Sequence, residues 1–222
     1  MKIKMEKFKN NIKMLKQVQH DNVQGRSMVE MLGVLAIIGV LSAGALAGYS
    51  KAMFMHKMNQ CTDAFTQLLQ NCMMIAPKLE KDTTKTTYYT DTLKAANMIP
   101  NGFSYYDSTY LQDMFYNKIK PTIKQSYYGI TYHFSSTDVG QALCRQIIIT
   151  LKGISNDLYY IYSDNGESAA RGEDHKATSS LYGDSYCGEE DKPCLKNTGI
   201  SEMNDICAQC DYSECRVLMY WF

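Results

Sequence analysis

The chain has 222 residues and a formal net charge of zero, with eight cysteines and 17 tyrosines. This length suits one domain with accessory segments. The balanced charge becomes acidic beyond residue 50 and gives no electrostatic footprint for nucleic acid, so nucleic acid is not an expected partner.

The first 25 residues are basic, and an apolar segment without charge follows soon after them. Residues 1–25 carry six lysines against Glu6 and Asp21, and no charged residue lies between Met31 and Ser50. Twenty helical residues span the ~30 Å hydrocarbon core of a bilayer. Because lysine-rich flanks stay in the cytoplasm, we expect residues 51–222 to cross the membrane. All eight cysteines lie beyond the apolar segment, which favours disulfides in an oxidising compartment.

Glu30 lies at the beginning of this apolar segment. A carboxylate in a membrane helix costs roughly 2.5–3.5 kcal/mol at the bilayer centre and less near the edge, and such groups are usually paired. We therefore expect Glu30 to have a cationic partner.

A stripe of apolar residues with helical spacing comes next. Its members recur at intervals of four and three residues: Phe54, Met58, Cys61, Phe65, Leu68, Cys72 and Ile75. Nothing breaks a helix between Met28 and Ala76, and Pro77 ends it. The pattern predicts one helix of about fifty residues, about 75 Å long. Its first half is apolar all round, and its second half has one face for a sheet to cover.

The remaining elements are shorter and mix helix with strand. In chain order the sequence predicts a polar loop over Lys81–Thr92, a helix over Asp91–Pro100, a strand over Tyr127–Ser136, a helix over Asp138–Ile154 capped by Asp138, a strand over Asp157–Asp164, a polar loop over Asn165–Ser185 and a final strand over Cys215–Phe222. We therefore expect an α+β fold.

Gly25 is followed by Glu30 as the fifth residue after it and then by the unbroken apolar helix, and this arrangement resembles the prepilin motif of type IV pilins and type II secretion pseudopilins. The resemblance continues through "VLAIIG" (Val34–Gly39). In that family a prepilin peptidase cleaves after the glycine and methylates the new amine, which implies processing between Gly25 and Arg26. The implied organisation is a cytoplasmic leader over 1–25, a transmembrane and assembly segment over 26–50, and a periplasmic or extracellular domain over 51–222.

The rest of the chain resembles the type IVb branch more loosely. The leader is long, "ALCRQI" (Ala142–Ile147) is similar to the second helix of that branch with its cysteine, and the tail is rich in cysteine. The resemblance implies a pilin fold, in which a long N-terminal α-helix packs on an antiparallel β-sheet and disulfides close the C-terminal region.

By the same resemblance the chain is a structural subunit of a type IV pilus, not an enzyme, and needs no cofactor or metal. It would start as a single-pass inner-membrane protein and end in a fibre outside that membrane. The implied partners are other copies of the chain, the prepilin peptidase, the inner-membrane assembly platform and the lipid bilayer. Glu30 would meet the amine of Arg26 in a neighbouring subunit. A type II secretion pseudopilin is the alternative, and the long leader and cysteine-rich domain favour the pilus.

Two cysteines lie on the predicted helix. Cys61 and Cys72 are eleven residues apart, about 16 Å along a helix, which is too far for a disulfide. We expect both to be free, buried thiols that pack as small apolar groups.

The other six cysteines allow fifteen pairings. Spacing suits a local loop between Cys187 and Cys194, and a tight turn between Cys210 and Cys215. The resemblance to type IVb pilins implies that Cys144 bonds Cys207.

Other readings of these segments remain open. A secretory signal peptide cleaved at "ALAG" (Ala45–Gly48), or an uncleaved anchor, would leave Gly48 or Met1 as the mature N-terminus instead of Arg26. "CAQC" (Cys207–Cys210) resembles a redox motif, and four sulfurs between Cys194 and Cys215 suit zinc, but disulfides are favoured. The acidic loop over 164–174 lacks the spacing of a calcium-binding EF-hand, so a solvated loop is favoured.

Overall fold

The computed structural model describes residues 2–80, 84–124, 127–135, 137–164, 179–189, 191–208 and 215–222, with the backbone alone for 2–27, 164 and 179. The chain divides into two compact units, Met1–Met55 and His56–Phe222. Helix α1 (Lys2–Ile75) contributes residues to both units, and a 3₁₀ turn (Ala76–Lys78) follows it. The helix therefore ends beside Pro77, as predicted, but begins at Lys2, well before Met28.

The second unit is α+β, and its sheet is antiparallel. Its strands and remaining helices, in chain order, are β1 (Thr87–Tyr88), α2 (Thr90–Ala95), β2 (Ser104–Tyr105), β3 (Leu111–Gln112), β4 (Lys118–Lys124), β5 (Tyr127–Phe134), α3 (Asp138–Gly153), β6 (Tyr160–Asp164), β7 (Ser179–Tyr182), α4 (Ile200–Ala208) and β8 (Cys215–Trp221). The strand order is β2-β3-β4-β5-β8-β6-β7, and β1 also pairs with β4. The final strand β8 thus lies near the centre, between β5 and β6.

Strand β4, which was not predicted from the sequence, contains a proline. Pro121 pairs with Ile130 of β5. On the opposite edge of β4, the nearest pairs are Ile119 with β3 and Thr122 with β1. Pro121 therefore lies between β1 and β3, the two short strands that pair with this edge of β4. Because neither strand pairs with Pro121 itself, its missing N–H costs no hydrogen bond between strands.

Several predicted boundaries were wrong for identifiable local reasons. The helix predicted to run to Pro100 ends at Ala95, because Asn97 takes a left-handed conformation with φ of 53°. Helix α3 is capped by Thr137, whose side chain accepts a hydrogen bond from the Gly140 N–H, and not by Asp138.

The predicted loops also contain regular structure. Strand β1 and the start of α2 fall within the first predicted loop, and β7 falls within the second. Helix α4 was not predicted, and its first turn is held by Glu202, which accepts a hydrogen bond from the Gly199 N–H at 2.8 Å. The predicted strands over β5, β6 and β8 and the predicted helix α3 are present.

Candidate functional site

The residues that the sequence singles out near the N-terminus all lie on α1. Gly25 and Arg26 belong to the part of the helix whose backbone alone is described. Glu30 lies one turn further on, and its side chain is exposed. The glycine, the first residue after it and the carboxylate therefore share one continuous helix.

The segment that follows Glu30 exposes a continuous apolar surface. Every residue from Met28 to Ser50 is exposed, and the large apolar side chains there are 52–75 % exposed. Such a surface is not stable in water and needs lipid or another protein to cover it. The helix is long and apolar enough to cross a membrane. By composition the segment can serve as a membrane anchor.

The second half of α1 is covered along the predicted stripe. Met58, Cys61, Phe65, Leu68 and Cys72 are each at most 3 % exposed. The Phe65 ring lies 5.6 Å from the ring of Tyr132 on β5, measured between centroids. The prediction that the sheet covers this face is confirmed.

A buried carboxylate joins this helix face to the sheet. Asp113, in the turn between β3 and β4, accepts hydrogen bonds from the backbone N–H groups of Phe115 and Asn117 at 2.7 and 2.8 Å. Its other oxygen accepts from the Asn117 amide at 2.8 Å and from the Tyr132 hydroxyl at 2.6 Å. The Cys61 thiol is 3.7 Å from the same oxygen. One carboxylate thereby links α1, the turn and β5.

Sequence patterns did not identify Asp113, because its partners on α1 and β5 are 52 and 19 residues away. The one local signal is the Asp-to-Asn spacing of the turn, where an Asp side chain can satisfy backbone N–H groups. The role of this group is structural.

The same environment raises the pKa of the groups around Asp113. Burial, with a smaller contribution from the charge of Asp113, raises the pKa of the Cys61 thiol to about 12. Burial also raises the pKa of the Tyr132 hydroxyl well above its usual value. The thiol of Cys72, the second buried cysteine of α1, has its pKa raised to about 12 by burial. Neither cysteine is in a disulfide, and high pKa values make both poor nucleophiles.

Two of the predicted disulfides are present between described residues. Cys144 of α3 bonds Cys207 of α4, and Cys187 bonds Cys194. Cys215 is also disulfide-bonded, whereas Cys210, its predicted partner, lies outside the described residues. Because Cys207 is bonded to Cys144, the structure gives no support to a redox pair within "CAQC".

The acidic loop that the sequence raised as a calcium candidate lies outside the described residues, apart from the backbone of Asp164. Among the residues that are described, no cluster of three or more His, Cys, Asp or Glu side chains is arranged to hold a metal ion.

No protein-family model matches this chain, and no curated protein sequence matches it.

Proposed function

We propose that this chain is a structural subunit of a type IV pilus, processed by a prepilin peptidase after Gly25 and polymerised from the inner membrane. The observation that carries the proposal is the continuity of α1. The exposed apolar segment with Glu30 at its beginning passes without a break into the buried stripe of the α+β unit. A helix built this way anchors a folded domain to lipid before assembly and to other copies of the helix afterwards.

Glu30 supplies the chemistry of assembly in this account. Cleavage after Gly25 creates an amine at Arg26, and this amine stays cationic when it is methylated. Inside a bundle of apolar helices the dielectric is low, so an unpaired carboxylate is strongly penalised and a paired one is directional. The pairing of Glu30 with the amine of an adjacent subunit would fix the axial position of each new subunit.

The disulfide-closed α+β unit would form the outer layer of the fibre. A domain outside the cell has no chaperones to refold it, and disulfides stabilise such domains against unfolding. The bond between Cys144 and Cys207 joins two helices that are far apart in sequence. This arrangement suits a subunit that must persist in an exposed fibre.

A fibre assay with matched variants tests the proposal. The gene is expressed with a prepilin peptidase and a pilus assembly platform, and fibres sheared from the cells are quantified and imaged. Glu30→Val should be inserted and cleaved but should give few fibres, because its pairing group is lost while its helix becomes more lipophilic. Ser42→Val is the control, since Ser42 is also exposed in the apolar segment but carries no charge.

A further variant separates the amine from the side chain of Arg26. Arg26 lies four residues before Glu30, a spacing that allows a pair within one helix. Arg26→Ala removes the guanidinium and keeps the amine, so it should still give fibres. Normal fibre yield from Glu30→Val as the sole subunit would contradict the pairing of Glu30 with the amine. The absence of fibres from the unaltered chain would contradict the proposal that the chain is a pilus subunit.

A further inference from the structure

The sheet of the second unit has a face that α1 does not cover. On β5, Tyr132 contacts α1, so its neighbour Thr131 points to the opposite face. Thr131 pairs with Lys120 of β4 and with Leu218 of β8, and Leu218 pairs with Tyr162 of β6. These four side chains form a row across the floor of a groove of about 230 Å³.

The groove is positively charged within an acidic domain. Lys120, Lys124 and Arg216 line it, and no acidic residue is among the described residues that line it. In the register of β6 and β8, the backbone of Asp164 pairs with that of Arg216. Residues 51–222 carry 16 basic and 20 acidic side chains, so this concentration of positive charge runs against the balance of the domain.

The walls of the groove present aromatic rings and hydroxyl groups. Tyr88, Tyr162 and Tyr220 line it together with three threonines. Tyr88 is 45 % exposed, and the Lys120 ammonium lies 5.6 Å from its ring centroid, within cation–π range. The rings of Tyr162 and Tyr220 are nearly parallel, with centroids 6.1 Å apart. Tyr88 therefore offers a stacking surface and a hydroxyl group that can donate and accept hydrogen bonds, whereas the Tyr220 ring is only 5 % exposed.

From these features we infer that the groove binds an anionic sugar unit, a pyranose ring that carries a carboxylate or a sulfate, within a surface polysaccharide. The cations complement the acidic group, since Lys and Arg form strong charge-assisted hydrogen bonds with such anions. The Tyr88 ring would stack on the C–H face of the sugar, and the exposed Thr86 hydroxyl would meet one of its hydroxyl groups. The volume of the groove fits about one sugar ring, so the groove would take one acidic unit of the polymer.

Charge also disfavours nucleic acid as the occupant. Nucleic-acid binding draws most of its affinity from many phosphate contacts made by an extended basic surface. Here three cations are confined to one groove, on a domain that is acidic overall. A ligand with one acidic group for each sugar unit matches that distribution.

Binding by the full-length protein in detergent tests this inference. The probes are a sulfated heparin tetrasaccharide, a carboxylated hyaluronan tetrasaccharide, neutral cellotetraose, oligodeoxythymidylate and tetraglutamate, each followed by isothermal titration calorimetry. We expect at least one acidic tetrasaccharide to bind and cellotetraose not to bind. The combined variant Lys120→Gln and Lys124→Gln should weaken that binding about tenfold, because two solvent-accessible ion pairs are lost.

Matched variants separate the groove from general charge. The combined variant Lys57→Gln and Lys78→Gln removes the same charge from exposed positions outside the groove and should leave affinity unchanged. Tyr88→Phe should retain binding, whereas Tyr88→Leu should weaken it. Equal loss of affinity in the two lysine variants, binding of cellotetraose as tight as that of the acidic sugars, or tighter binding of oligodeoxythymidylate or tetraglutamate would each overturn the inference.

Discussion

Removal of the disulfide between α3 and α4 should destabilise the second unit more than removal of the other described disulfide. The bond between Cys144 and Cys207 closes a sequence separation of 63 residues, and the bond between Cys187 and Cys194 closes one of 7. The chain-entropy model gives about 4 kcal/mol of stabilisation for the first loop and about 2 kcal/mol for the second. Burial acts in the same direction, because Cys144 and Cys207 are fully buried.

The assay uses the single tryptophan of the chain. Trp221 lies in β8 and is 4 % exposed, so its fluorescence reports unfolding of the sheet. With a urea m-value of about 2 kcal/mol per molar, the double Cys144→Ala and Cys207→Ala variant should lower the unfolding midpoint by about 2 M, and the double Cys187→Ala and Cys194→Ala variant by about 1 M.

A reducing control separates the cross-link from packing. In excess reductant the unaltered chain and both variants lack all disulfides, so differences that remain between them measure packing alone. If the Cys187 and Cys194 variant loses as much stability as the Cys144 and Cys207 variant under oxidising conditions, the loop-length reasoning is wrong.

The other predictions concern processing, the buried carboxylate and the buried thiols. Gly25→Val should leave the leader attached, because a β-carbon beside the cleaved bond obstructs the peptidase, and a normal mature mass would contradict the cleavage site. Asp113→Asn should cost about 2–4 kcal/mol of unfolding free energy, because the amide turns a donor towards one of the groups that now donate to the carboxylate. Asp107→Asn, in a turn nearer the surface, should cost much less, and equal losses by urea titration would contradict the network. For Cys61 and Cys72, burial raises the folded pKa from 9.0 to about 12, so the native state holds these protons more tightly than the unfolded chain does. The contribution of these thiols to stability should therefore be constant below pH 9 and fall between pH 9 and 12 by about 1.4 kcal/mol per pH unit for each thiol. The unfolding free energy of Cys72→Ala should fall less steeply with pH than that of the unaltered chain. If urea titrations give the same pH dependence for both, the role assigned to the Cys72 thiol is wrong.

The parts of the fold with strong local signals were predictable from the sequence. The stripe from Met58 to Cys72 follows helical spacing, and its burial is what that spacing predicts. Strand β5 is rich in aromatic and β-branched residues and was recognised for that reason. Strand β4 was not predicted. Its Pro121 normally argues against a strand, and the arrangement of β1 and β3 shows why it is tolerated.

The features discussed as candidate sites also differ in how far the sequence could predict them. Gly25, Arg26 and Glu30 lie within six residues of one another, so their spacing is legible in the sequence. The carboxylate of Asp113 and the groove on the sheet face opposite α1 join residues from several strands, and their register comes from tertiary pairing alone. No local pattern encodes such a set of contacts.

The first residue of the mature protein tests the central claim most directly. The full-length gene is expressed with a prepilin peptidase, and the membrane fraction is analysed by intact mass and N-terminal peptide mapping. The account predicts a chain that begins at Arg26 and carries a methyl group on its amine. A mature chain that begins at Gly48 would show an ordinary signal peptide, a chain that keeps Met1 would show an uncleaved anchor, and either result would contradict the account.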